Sequence, residues 1–191
     1  MRYLNKIVFI NSAAIRYSEV QLDGNIHLIG TQGVGKSTIL RAILFFYNAD
    51  TQRLGIPVEK KSYQDYYFPY ADSSIIYEVA REDGWFTVLS YKTMNRICYR
   101  FIASPYRPDL FIDEEGAPYP SDLIRSVLDK NGIKYSGAIS TYEEYRNILY
   151  GNSDNKRDYS CYSLMESGSY QNIIRTIQNV LLNSRLEADY I

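Results

Sequence analysis

The spacing of apolar residues changes several times along the 191 residues of the chain. Leu4 to Ile10 is apolar and β-branched, Ser18, Val20 and Leu22 alternate with Glu19 and Gln21, and Asn25 to Ile29 is apolar again. This pattern predicts three strands, with Asp23-Gly24 as the turn between the second and third. From Ser37 to Tyr47 almost every position is apolar, through Ile39, Leu40, Ala42, Ile43, Leu44, Phe45 and Phe46. Such a segment predicts a helix buried on all sides, the central helix of the fold. A polar connection follows from Asn48 to Ser62, containing Arg53-Leu54-Gly55 and Glu59-Lys60-Lys61.

A period of two then returns. Ser74 to Ala80, Trp85 to Tyr91 and Arg96 to Ile102 predict a three-stranded meander, with turns at Asp83-Gly84 and near Thr93 to Asn95. In the third strand Ile97, Tyr99 and Phe101 alternate with Arg96, Cys98 and Arg100, as a half-buried antiparallel strand requires. Leu110 to Ile112 and Ala117 to Tyr119 flank Asp113-Glu114-Glu115-Gly116, which reads as a hairpin. Three helices are signalled by caps: Ser121, ending at Asn131-Gly132; Thr141 with Glu144 as a capping box; and Ser169 before Ile173, Ile174 and Ile177.

The length suits one domain or one lobe of a larger one, and the last residues, Leu186 to Ile191, carry no helix breaker or polar tail, which suggests a fragment of a longer polypeptide. A formal net charge of -1 excludes a globally basic nucleic-acid binder and leaves only local patches. No apolar run approaches the roughly 18 residues that cross a bilayer, and no signal pattern opens the chain, so no membrane partner is expected and the protein is read as cytoplasmic. Cys98 and Cys161 lack any metal-ligand spacing and read as buried thiols. His27, inside an apolar stretch, reads as a packed strand residue. Twenty tyrosines are unusual. The cluster Tyr63, Tyr66, Tyr67 and Tyr70 either forms an interface or stacks on bases, or packs its rings at the core edge with the hydroxyls wet.

One motif carries chemistry. Gly30-Thr31-Gln32-Gly33-Val34-Gly35-Lys36-Ser37 fits GxxxxGK[ST], between a predicted strand and the predicted central helix. Backbone N–H groups, turned inward by glycines free to adopt positive φ, make a nest for a β-phosphate at a helix N-terminus. Lys36 then reaches the β- and γ-phosphates and the Ser37 hydroxyl ligates magnesium. The expected cofactors are ATP and Mg2+, held by Gly30, Gln32, Gly33, Val34, Gly35, Lys36, Ser37 and Thr38. Such a site also needs a carboxylate after an apolar strand. Leu110-Phe111-Ile112-Asp113-Glu114 fits superficially, but its apolar run is three residues and Glu115-Gly116 turns back at once, so the hairpin reading is preferred.

Two strands, a turn, a third strand and then this loop resemble the N-terminal half of the ATPase heads of SMC-type proteins, including RecF, SbcC and MukB-like relatives. Lys6-Ile7-Val8-Phe9-Ile10-Asn11 is similar to their opening strand, and Val20-Gln21-Leu22-Asp23-Gly24-Asn25-Ile26 to their second strand and turn. The resemblance covers residues 1 to about 80 well, and the tone of Ile177 to Asn183 suggests the MukB-like group. It implies an α/β P-loop NTPase fold, an ABC-ATPase head-like lobe with a mixed sheet, an antiparallel meander and flanking helices. It also implies partners: the C-terminal half of the same head, which would bring the signature motif and acidic strand, a second head, DNA, and accessory subunits. Arg53, in its Leu-Gly setting, is the implied DNA-contact or hydrolysis-stimulating residue, with Lys60 and Lys61 beside it, or else a solvated loop arginine. Gln171, or alternatively Gln178, is the implied glutamine-loop contact to magnesium. This sequence departs from the family at Gln32, where asparagine is usual, and at Ser12 and Ala13, where an aromatic-basic pair is usual.

The leading expectation is an ATP-driven machine acting on DNA, of which this chain is half a head and inactive alone. The alternative is a self-contained P-loop NTPase or transporter-type ATPase not acting on DNA, with Asp113-Glu114 as its acidic pair. A GTP-binding switch ranks third, on the expectation that no guanine-reading Asn-Lys-x-Asp motif occurs.

Overall fold

A computed structural model describes residues 2–24, 35–48, 63–164 and 167–189. Its centre is a sheet of five strands: β1 (Tyr3–Ser12), β2 (Ile15–Gln21), β3 (Ser74–Arg81), β4 (Gly84–Thr93) and β5 (Arg96–Ile102), in the order β2-β1-β3-β4-β5. The helices are α1 (Lys36–Asn48), α2 (Tyr63–Tyr67), α3 (Ser121–Lys130), α4 (Tyr142–Leu149), α5 (Lys156–Tyr159) and α6 (Gln171–Asp189). All four strand pairings are antiparallel, so the expected mixed sheet is not what the described residues form. A parallel neighbour needs a long crossover, whereas β1-β2 and β3-β4-β5 are joined by tight turns. The strand expected at Asn25 to Ile29, and His27 within it, lie outside the described residues.

The meander forms as the alternation predicts, but its last strand is covered on both faces. Ile97, Tyr99 and Phe101 join one core, with α1, α4 and α6, while Cys98 and Ile102 join a second core, with α3 and the segment around Tyr106 to Phe111. Arg100, expected to face water, is 5% exposed. Its guanidinium donates to the Ser136 carbonyl at 2.7 Å and lies over the Tyr135 ring, 5.4 Å from its centroid. The chain at 134–139 runs along the edge of β5, exchanging hydrogen bonds between Ile139 and Tyr99 at 2.8 Å in both directions. Cys98 is buried as expected, whereas Cys161 is only half-buried.

Turns and caps follow local chemistry with some shifts. Ala13 and Ala14, between β1 and β2, both take left-handed conformations, with φ of 50° and 62°. That backbone usually draws asparagine and glycine, because a Cβ there is crowded. Thr141 caps α4 by accepting from the Glu144 N–H at 3.2 Å. α3 ends at Asn131 in a Schellman motif, with Ile133 N–H on the Leu128 carbonyl at 3.0 Å and Gly132 N–H on that of Asp129 at 3.1 Å. Ser121 is the first residue of α3 and its cap is Pro120, with no side-chain bond. Ser169 lies in a 3-10 turn, Ser167–Tyr170, that leads into α6. Leu110 to Tyr119 does turn back on itself, through a bridge between Ile112 and Pro118. No described helix is long and apolar enough to cross a membrane.

Candidate functional site

The central helix is buried as its composition predicts. Every residue from Thr38 to Tyr47 is buried, while Gly35 and Lys36 are exposed and Ser37 is half-buried. The helix therefore emerges from the core at one end, and that end carries the final Gly-Lys-Ser of the motif. Its first intrahelical bond runs from the Ile39 N–H to the Gly35 carbonyl at 3.2 Å. The first turn holds no carboxylate. A lysine at the positive end of a helix dipole is disfavoured unless an anion is supplied there, so charge and backbone geometry at this turn both suit a bound phosphate.

Four tyrosine hydroxyls fix the helix from outside. Tyr67 of α2 donates to the Thr38 carbonyl at 2.8 Å, Tyr77 of β3 to that of Ala42 at 2.9 Å, and Tyr145 of α4 to that of Phe46 at 2.6 Å. Tyr150 donates to the next carbonyl, that of Tyr47. Positions 38, 42 and 46 are one turn apart, so these bonds run along a single strip of the helix. Burial raises the Tyr67, Tyr77 and Tyr145 hydroxyls well above their ordinary pKa, an effect that Arg41 partly offsets at Tyr67. Tyrosine in this protein thus serves as a core residue. In the cluster singled out from sequence, Tyr63 and Tyr67 are buried, Tyr66 is half-buried, and Tyr70 alone is exposed. Base stacking is closed to the two buried rings, and their hydroxyls are not wet.

The remaining expected site residues divide into three groups. Gly30, Gln32, Gly33 and Val34, and with them Arg53, Lys60 and Lys61, lie outside the described residues. Gly35, Lys36, Ser37 and Thr38 share the first turn of α1 and the residue before it. Gln171 is elsewhere: it lines a hollow of about 290 Å³ with Tyr47, Tyr150 and Arg146. Tyr47 is ten residues beyond Ser37, about 15 Å along the helix at 1.5 Å per residue, so the structure does not bring Gln171 to Ser37. Tyr170 fixes this position by stacking on Tyr47 at 5.3 Å and donating to the Arg2 carbonyl at 3.1 Å. Gln178 is half-buried on α6. Among the described residues no cluster of three His, Cys, Asp or Glu side chains is placed to hold a metal.

Asp113 and Glu114 belong to the layer on the sheet face away from α1, because Ile112 and Tyr119 pack into the second core. Asp113 spends one carboxylate oxygen on its own turn, accepting from the N–H groups of Glu115 and Ala117, each at 2.9 Å. The expectation that no Asn-Lys-x-Asp tetrad occurs fails on the sequence itself, since Asn155-Lys156-Arg157-Asp158 spells it. Here Asn155 caps the short α5, accepting from the Asp158 N–H at 3.3 Å and donating to its carboxylate at 2.9 Å. The Ser160 carbonyl just beyond accepts from Arg81 at 2.8 Å. That places the tetrad at the end of the sheet where Tyr3 pairs with Ala80 and Tyr47 lies against Leu4, the end of α1 remote from Lys36.

Sequence reasoning also missed Tyr66, whose hydroxyl lies 3.3 Å from Thr38 Oγ1. The density of tyrosines after the connection was visible, but nothing in their spacing shows which hydroxyl meets the first turn of α1.

The fold and this first turn define an α/β protein whose antiparallel sheet carries helices on both faces and whose central helix presents Gly-Lys-Ser at its exposed end. The model of a family described as Protein of unknown function (DUF3584) matches residues 11–177, and the chain belongs to that family. No curated protein matches the chain.

Proposed function

We propose that the chain binds the triphosphate of ATP with magnesium through Gly30 to Thr38, and that it is the N-terminal lobe of an SMC-like ATPase acting on DNA. The observation that carries the nucleotide reading is the first turn of α1, where exposed Lys36 and half-buried Ser37 lead into a buried helix and no carboxylate stands in the turn itself. Backbone N–H groups and Lys36 bind the phosphates, and Ser37 contributes to magnesium. The SMC-like assignment rests on the order of elements before the loop, and DNA contact on Arg53, Lys60 and Lys61. The C-terminal half of the head, a second head and accessory subunits complete the machine in this reading. The self-contained alternative needs Asp113-Glu114 near Ser37, and the position of that turn beyond the sheet weighs against it. The GTP reading likewise gains nothing from a tetrad at the far end of α1.

The test is nucleotide titration of the full chain by fluorescence. Lys36→Ala is expected to remain folded, because its side chain is exposed, and to lose ATP binding. Unchanged affinity in the folded variant removes the site assignment.

A further inference from the structure

We propose that the hollow between the β1–β2 hairpin and the turn from Asp113 to Gly116 binds a small zwitterion with an apolar body, the class of the apolar α-amino acids and their short peptides. The hollow has a volume of about 670 Å³, within the roughly 300–1,000 Å³ of small-molecule sites. It lies on the sheet face away from α1, so it does not rest on the phosphate reading. Ile10, which is 2% exposed, and Ile112 give it an apolar lining continuous with the second core. Pro108, Pro118 and Tyr17 extend that lining, and Asn11, Arg16 and Glu115 bring polar groups to it.

Those polar groups point to a dipolar ligand. Consecutive strand residues face opposite sides of a sheet, yet Ile10 and Asn11 both line the hollow, because Asn11 takes a left-handed φ of 45°. Asparagine tolerates that backbone better than most residues. The Asn11 amide and the side chains of Arg16 and Glu115 have no hydrogen-bond or ion-pair partner among the described residues, and Arg16 and Glu115 do not pair with each other. One positive and one negative group thus share a hollow, and the protein neutralises neither. A simple anion would meet repulsion from Glu115, and a simple cation from Arg16. A ligand that offers a carboxylate to Arg16 and Asn11 and an ammonium to Glu115 satisfies both, while its apolar part covers Ile10 and Ile112.

Both walls are set before a ligand arrives. Ile112 bridges to Pro118, and its N–H donates to the Pro108 carbonyl at 2.9 Å. The Asp113 carboxylate accepts from the N–H groups of Glu115 and Ala117, each at 2.9 Å, and so fixes the backbone that carries Glu115. On the facing wall the Tyr17 and Tyr106 hydroxyls share a hydrogen bond of 2.8 Å. Tyr106 is held in turn by its N–H on the buried Glu78 carboxylate at 2.7 Å and by its ring on Phe111, with centroids 5.6 Å apart. Walls fixed in this way leave less to be ordered on binding.

Calorimetric titration of the full chain with L-leucine, L-phenylalanine and the dipeptide Leu-Leu tests the site. At least one is expected to bind with a Kd below about 1 mM. Its C-terminal amide and its N-acetyl derivative are each expected to bind about three- to tenfold more weakly, the range for a partly exposed charged contact. Arg16→Gln should abolish the preference for the free carboxylate and keep that for the free ammonium, and Glu115→Gln should do the reverse. Both side chains are exposed, so the variants are expected to fold, and a merely structural effect would weaken every form alike. Lys36→Ala, beyond the sheet, should change none of these affinities. Absence of binding by all the probes, preferences that survive in the variants, or equal losses across the derivatives overturn the site. A loss in Lys36→Ala would move the ligand to the end of α1 and overturn it as well.

Discussion

The hydroxyl of Tyr77, in the central strand of the sheet, donates to the carbonyl of Ala42, in the middle of the central helix, at 2.9 Å. Tyr77→Phe keeps the ring and removes this bond, so a loss of about 0.5–1.5 kcal/mol is expected. Tyr99 provides the contrast. Its ring stacks on Tyr145 at 4.2 Å, but its hydroxyl is buried without a hydrogen-bond partner. Tyr99→Phe relieves an unmet donor and is expected to leave stability unchanged or raised. Chemical denaturation of the two variants checks the pair; equal losses would mean that the bonded and the unbonded hydroxyl are not distinguished by their surroundings.

Alkaline pH should unfold the protein sharply. Tyr67, Tyr77 and Tyr145 are held neutral by burial, with folded pKa values above the unfolded value of about 10. Their contribution is fully present below pH ~10 and is lost as pH rises past it, because the unfolded chain then releases protons that the folded one keeps. The slope is about 1.4 kcal/mol per pH unit for each group, about 4 for the three together. Tyrosinate absorbance is expected to rise in two phases. The signal of Tyr67, Tyr77 and Tyr145 should appear only together with loss of far-ultraviolet circular dichroism. Titration of all tyrosines in one phase with the dichroism intact would contradict the burial account.

Ala14 is exposed, with a φ of 62°. Glycine has no Cβ penalty in this conformation, but it also loses more entropy on folding. The net expectation for Ala14→Gly is a gain of about 0.5–1 kcal/mol, a rise in melting temperature of about 1–4 °C for a chain this long. Scanning calorimetry checks it.

The chain alone is expected to bind ATP weakly and to hydrolyse it negligibly. Asp113→Ala frees two turn N–H groups and should cost about 1 kcal/mol of stability without changing phosphate release. Turnover near 1 per second, as in a working ATPase, that vanished in Asp113→Asn or Glu114→Gln would restore the self-contained alternative.

The proposed DNA contact is tested through the salt dependence of binding. If Arg53, Lys60 and Lys61 neutralise phosphates, each should contribute about 0.9 to the slope of log affinity against log salt on duplex DNA. Arg53→Ala and the double variant Lys60→Ala/Lys61→Ala should each flatten that slope. Identical slopes remove these residues from the interface, and absence of wild-type binding favours the non-DNA alternative.

Much of the fold was legible because its signals are local. The run from Ile39 to Phe46 is apolar on every side, and burial on every side followed; the meander declared itself by alternation and turn residues. What stayed hidden depends on long-range partners. The alternation of Arg96, Cys98 and Arg100 cannot show that α3 and the chain at 134–139 will cover their face, since a buried arginine looks like an exposed one until Ser136 and Tyr135 meet it. At the site, Gly35 to Ser37 were read from the motif alone. Gln171 was drawn in by analogy of position, and the stacking of Tyr170 on Tyr47, a contact between residues far apart in sequence, put it at the other end of the helix. Asn155 to Asp158 was missed although it stands in the sequence, and its carboxylate is bound by its own asparagine.

The tyrosines that fasten α1 also set a schedule for biosynthesis. Tyr145 and Tyr150 come 99 and 103 residues after the carbonyls they bind. At about 5–20 residues per second, the apolar helix leaves the ribosome some 5–20 s before those partners exist. Through that interval its Leu40 to Tyr47 surface has no native cover from α4, so the slower the translation, the longer the apolar helix of the nascent chain stays open to chaperones.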